Sequence, residues 1–170
     1  GVMAPDTGTI TFAGVPAAGV PPHELCRRGL ARTFQIVRPF PELTVMENAA
    51  IGAMLHAPDM DAARAKAADV LRRLDLYDRR DAKAKSLTLP DRKRLECARA
   101  LATNPRLLLL DEVMAGLRPT EVDRIVAILK DINREGVTIL LIEHVMRATM
   151  ALAQRIHELH HGATIAEGTP

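Results

Sequence analysis

Leu107-Leu108-Leu109-Leu110 is apolar at every position, follows Pro105, and runs straight into the acids Asp111 and Glu112. A short run of this kind suits a strand buried on both faces. The segment Thr120–Glu135 has helical spacing, with Val122, Ile125, Val126, Leu129 and Ile132 in one stripe and Gly136 as a stop. Thr120 and Asp123 form a capping-box-like pair at its start. Val137–Ile142, broken only by Thr138, reads as a second buried strand. Strand, long helix and strand make a crossover unit, so a parallel sheet is expected.

The remaining segments are arranged around this unit. Thr9–Phe12, between Gly8 and Gly14, alternates as a short strand. Glu24–Arg28 is a short helix stopped by Gly29, and Leu30–Phe34 is a further strand. From Val45 to Leu76 the text becomes rich in Ala, Arg and Asp with helical spacing, interrupted at Pro58. Pro90 closes that stretch, and a helix is expected over Arg92–Ala102. Met146–Ala153 reads as a short helix, and the segments flanking Gly162 as a closing hairpin. There is no internal repeat.

Composition excludes several classes. At 48% hydrophobic and 26% charged residues, the 170-residue chain has globular composition with enough length for a core. A formal net charge of +2 implies no nucleic-acid partner, and 2% aromatic residues leave no platform for stacking bases. Cys26 and Cys97 form neither a CxxC nor a zinc-finger spacing, which reads as two unpaired thiols in a reducing compartment. No apolar run approaches the ~18 residues that span a bilayer, and no secretory signal is read at Gly1.

The chemistry concentrates at strand ends. Asp111 and Glu112 follow a buried strand, where open α/β sheets hold their ligands. An Asp there can hold Mg²⁺, and a neighbouring Glu can polarise a water for phosphoryl transfer. His144 follows the second buried strand and can reach a γ-phosphate as a donor. Gln35 follows an earlier strand and precedes a Pro-containing segment, a place for a residue that touches Mg²⁺ and moves. Against each stands a plain structural role: acids commonly follow strands, and a lone His or Gln is more often structural.

The ordered set Arg32-Thr33-Phe34-Gln35, Thr44–Asn48, Arg94-Leu95-Glu96, Ala98–Leu101, Leu107–Glu112, Ala115-Gly116-Leu117, Ile142-Glu143-His144 and Ala166–Pro170 resembles the ATP-binding subunit of an ABC transporter. It is most similar to the branched-chain amino acid importer type, and the resemblance covers the whole chain. It implies a RecA-like P-loop NTPase fold of the α/β class, a parallel sheet with an inserted helical subdomain. Residues 1–44 and 91–170 would be the catalytic core of one nucleotide-binding domain, and 45–90 the helical subdomain. It further implies ATP and Mg²⁺ as cofactors, with Asp111 as the Walker B aspartate, Glu112 as the catalytic glutamate, His144 as the switch histidine and Gln35 as the Q-loop glutamine on the metal. Leu87, Thr88, Leu89, Pro90 and Asp91 occupy the signature position, and Met114–Arg118 the loop after Walker B. The implied partners are transmembrane permease subunits, a second ATP-binding subunit and, indirectly, an extracytoplasmic solute-binding protein, with peripheral placement on the cytoplasmic face of the inner membrane.

Three departures from the family pattern stand out, of which the first two bear on activity and the third on local contacts. The sequence contains no GxxxxGK[ST], and Gly1–Gly8 resembles the segment after that loop's helix, so the first strand and phosphate loop are expected to be missing and the chain by itself to bind ATP poorly. A truncated, non-catalytic piece that keeps the fold and the membrane-subunit contacts is the alternative. The signature position carries Leu89-Pro90 where Gly is usual, and Pro90 offers no N–H. Val113, Arg118 and Gln154 also differ from the usual residues. Finally, His157–His161 matches HExxH, a zinc pattern that works only on a helix; the strand-like context there speaks against it.

Overall fold

In the computed structural model, which describes residues 3 and 5–170, β4 (Leu107–Asp111) is the middle strand of a three-stranded sheet. The expectation on Gly1–Gly8 includes residues 1, 2 and 4, which lie outside the described ones. β3 (Leu30–Arg32) and β5 (Thr138–Ile142) flank β4, both parallel to it. The crossover from β4 to β5 is α5 (Pro119–Arg134), which buries Val122, Ile125, Val126, Ile128, Leu129 and Ile132.

The expected double burial of the sheet is corrected. Leu108 and Leu110 are enclosed, whereas Leu140 and Ile142 are 56% and 60% exposed. Burial alternates along β4 and β5, so the helices cover one face only. The register pairs Leu109 with Leu140 and Asp111 with Ile142, and puts Asp111 on the open face. An all-apolar run cannot distinguish a strand covered on one side from one covered on both.

Two starts also differ from expectation. α5 begins at Pro119, and the reach-back comes from Glu121, whose carboxylate accepts from the Arg118 N–H at 2.8 Å, not from Thr120 and Asp123. Proline's fixed φ suits the first helical turn, which moves the start forward. For the same reason α4 spans Leu89–Ala102: Pro90 lies in its first turn, where its missing N–H costs no bond, and does not stop the preceding stretch.

Between β3 and α4 the chain is helical. α2 (Val45–Ala53) starts with a reciprocal cap, Thr44 Oγ1 accepting from Glu47 N and a Glu47 carboxylate oxygen accepting from Thr44 N. α3 (Met60–Arg73) is capped by Asp59. Two 3₁₀ turns, Tyr77–Arg79 and Ala84–Ser86, lead to α4. α2 and α4 cross at Gly52, where an added Cβ would lie 2.2 Å from the Arg99 carbonyl oxygen. Only glycine permits that approach.

The periphery is small. β1 (Thr11–Phe12) and β2 (Val15–Pro16) form an antiparallel pair, followed by α1 (Pro22–Arg27). After α6 (Met146–Leu152), β6 (Ile156–His160) and β7 (Ala163–Gly168) form the expected hairpin, with a bulge at Glu158/Leu159. His157 therefore stands on a strand, beside Glu167 at 3.4 Å, and HExxH has no helix to act on.

Candidate active site

Parallel pairing carries the ends of β3, β4 and β5 to one edge. Thr33, fully buried, prolongs the β3–β4 pairing: its N–H donates to Leu109 O at 2.9 Å, and its hydroxyl accepts from Asp111 N at 3.3 Å. Two residues on, Gln35 Nε2 donates to Glu112 Oε2 at 2.7 Å. Arg32 Nη2 donates to Asp111 Oδ2 at 3.0 Å. The sequence-derived residues Gln35, Asp111 and Glu112 thus converge. Gln35 and Asp111 line a cleft of about 520 Å³ with Arg32, Phe34, Arg38 and Arg99.

Glu112 has φ +48°, in the left-handed region that a residue with a Cβ seldom occupies. Its N–H donates to Ile142 O at 2.9 Å, and its own carbonyl accepts from Lys93 Nζ at 2.9 Å. The Met114 N–H donates to Glu143 Oε1 at 2.8 Å. Lys93, on α4, is 6% exposed; burial pushes its ammonium pKa down, opposed chiefly by the charge of Glu143. His144 is exposed just past β5, two residues beyond the Ile142 whose carbonyl holds Glu112.

The segment Leu87–Asp91 lies apart from this edge. Leu87 is buried, and Thr88 caps α4, its hydroxyl accepting from Asp91 N at 3.4 Å. Asp91 is buried and paired with Arg94 and, at 3.3 Å, with Arg79. Leu89 is exposed, near the point where Gly116 approaches it. Thr88, Pro90 and Asp91 line a second cleft of about 260 Å³ with Arg94, Arg118 and Glu121.

Arg32, Lys93 and Glu143 are site-forming residues to which sequence reasoning assigned no role. Arg32 and Glu143 lay within quoted motifs next to functional positions, whereas Lys93 carried no sequence signal beyond its place on a helix.

The donor set at the edge fits Mg²⁺. Asp111 offers carboxylate oxygens, and Gln35 keeps its amide oxygen free of the bond its nitrogen makes to Glu112. Mg²⁺ is commonly held by one or two carboxylates together with substrate phosphates, which matches a site with few protein ligands. Among the described residues, no three His, Cys, Asp or Glu form a metal cage.

Comparison with known proteins gives the family and the fold. The family profile described as ABC transporter matches residues 1–115. The chain is 37% identical over its whole length to the high-affinity branched-chain amino acid transport ATP-binding protein LivG of Salmonella typhimurium, spanning 73% of that protein. It is 34% identical to BraF of Pseudomonas aeruginosa, a protein of the same description, again spanning 73%. The lipopolysaccharide export system ATP-binding protein LptB of Acidithiobacillus ferridurans is 32% identical, with 70% of it covered. Among solved structures, a nucleotide-free ATP-binding cassette from an ABC transporter superposes with a TM-score of 0.86 at 29% identity, over 98% of this chain and 71% of that one. With a RecA-like α/β fold and an ATPase family's sequence, the chain belongs to the ABC transporter ATP-binding proteins.

Proposed function

We propose that this ATP-binding subunit hydrolyses ATP at the edge formed by Gln35, Asp111, Glu112 and His144, and that the hydrolysis drives import of branched-chain or related amino acids. The observation that carries the site is the 2.7 Å bond from Gln35 to Glu112, which couples an amide past the end of β3 to the acid beside Asp111. The solute class follows the names of LivG and BraF. The similarity to LptB makes a different cargo the competing outcome.

Asp111 and Gln35 would hold Mg²⁺, whose chemistry there is to neutralise charge on the phosphates. Glu112 orients and polarises the attacking water. Gln35 donates to Glu112 through its amide nitrogen, which leaves its oxygen to face the metal. His144 donates a hydrogen bond to the terminal phosphate from the end of β5. Thr88, Leu89 and Pro90 form the outward part of the signature segment, with Leu87 and Asp91 anchoring it from within. Because Pro90 has no N–H, any anion contact of that segment falls to other groups.

Residues 45–90 would act as a helical subdomain on the core, residues 1–44 and 91–170, and would contact permease subunits. Those subunits, a second ATP-binding subunit and an extracytoplasmic solute-binding protein complete the assembly. Such a subunit sits peripherally on the cytoplasmic face of the inner membrane; no described helix is long and apolar enough to cross a membrane.

The test is Glu112→Gln in the assembled transporter in proteoliposomes. ATPase turnover and leucine uptake should both fall by about 10²–10⁴-fold, the usual weight of general-base assistance, while nucleotide still binds. Retention of most of the ATPase rate overturns the role given to Glu112. Intact ATPase with no response to branched-chain amino acids overturns the cargo. Leu89-Pro90 favours a second reading, a non-catalytic subunit that keeps the fold and the permease contacts; absence of ATPase in the unmodified assembly would select it.

A further inference from the structure

We propose that Lys93 is a positioning residue that holds the backbone of Glu112 in its left-handed turn, with Glu143 holding the next anchor at Met114, and so ties the acid to the first turns of α4. The proposal rests on the reading of Glu112 as the water-activating carboxylate.

Strained backbone persists where the surroundings over-determine it. Glu112, at φ +48°, is pinned on both sides of its Cα: its N–H by Ile142 O and its C=O by Lys93 Nζ, each at 2.9 Å. The next anchor is Met114 N, held by Glu143 Oε1 at 2.8 Å. Of these three bonds, two come from charged side chains, which make shorter and stronger bonds than neutral ones.

A lysine that is 6% exposed needs a reason to be inside. Its compact ammonium carries three donors, one of which is spent on the Glu112 carbonyl. The second oxygen of Glu143 is buried and has no hydrogen-bond partner among the described residues. The two side chains thus hold the turn between β4 and α5 at two successive points, Lys93 from α4 and Glu143 from just past β5.

The arrangement has a directional consequence. Lys93 is one short step along α4 from Thr88–Asp91, so movement of the helix start is delivered to the Glu112 backbone through one buried bond.

The experiment compares the unmodified assembly with Lys93→Met, which keeps the length of the stem, and with Glu143→Gln, which keeps an acceptor for Met114. Hydrogen exchange is followed in the peptide spanning β4 and the loop after it, with the β6–β7 hairpin as internal reference, and kcat and KM for ATP are measured on the same samples. In Lys93→Met, exchange at the Glu112 turn should accelerate by about tenfold, as expected when one charge-assisted bond is lost. kcat should fall by a similar factor, with KM changed less than about twofold. Glu143→Gln should accelerate exchange in the same peptide and leave the hairpin unaltered, and it decides the matter should Lys93→Met not fold. Unchanged exchange at the turn overturns the clamp; faster exchange with unaltered kcat overturns its link to catalysis. A Glu112→Gln assembly that keeps its rate removes the assignment of Glu112 itself, a result the exchange measurement does not depend on.

Discussion

Arg32 and Asp111 face each other across paired strands, with the guanidinium donating to the carboxylate at 3.0 Å. Arg32 therefore occupies one of the two Asp111 carboxylate oxygens, and a divalent cation held by Asp111 would compete with it for the same acid. The pair is partly exposed, so its own strength is about 0–1 kcal/mol. Arg32→Met should strengthen divalent binding up to about fivefold, measured as Mn²⁺ affinity of the assembled protein with nucleotide by paramagnetic resonance. Weaker Mn²⁺ binding in the variant would show that Arg32 orients Asp111 and does not compete for it.

Asn48 is fully buried and closes the loop that follows Gln35. Its Nδ2 donates to Phe40 O at 3.1 Å and Thr44 O at 2.9 Å, and its Oδ1 accepts from Phe40 N at 2.9 Å. Asn48→Ala should destabilise the protein by about 1–3 kcal/mol for each buried group left unpaired. Urea unfolding monitored by circular dichroism reads the change. Unaltered stability would mean that water replaces the amide.

Glu47 gives the start of α2 a pH dependence. Hydrogen bonds from the Thr44 backbone and side chain hold its carboxyl below the ordinary 4.5. Its contribution is therefore present above that value and lost as pH falls through the depressed one. Glu42, lowered by Lys85 and Lys83, adds a loss in the same direction. The urea midpoint should drop more between about pH 5 and pH 3 in the natural protein than in Glu47→Gln. Parallel curves would remove Glu47 from the account.

The two thiols should behave differently. Burial pushes the Cys97 thiol up to about 12, while Cys26 is half-buried. Thiolate is the reactive form, so at pH 8 Ellman's reagent should modify Cys26 alone in the folded protein and both thiols in denaturant. Rapid modification of both without denaturant would show that α4 opens on the timescale of the reaction.

The βαβ frame was legible because its periods differ: every position apolar over Leu107–Leu110, then a stripe every three or four residues from Val122 to Ile132. The exposure of Leu140 and Ile142 was not, since hydropathy reports what a strand can bury and not how many layers cover it. Gln35, Asp111 and Glu112 were legible as strand-end chemistry, and parallel register is what brings them together. Arg32 and Lys93 were not, because their bonds to Asp111 and Glu112 cross the sequence by 79 and 19 residues. The early start of α4 was missed because Pro90 reads as a breaker until its place in the first turn is known.

Gly52 leaves no side chain between α2 and the Arg99 carbonyl. Two helices joined by a side-chain layer can slide as that layer repacks; two joined backbone to backbone have no such compliance. At this crossing α2 and α4 are therefore held at backbone contact distance. Any side chain at position 52 would have to part the two helices before they could pack as they do.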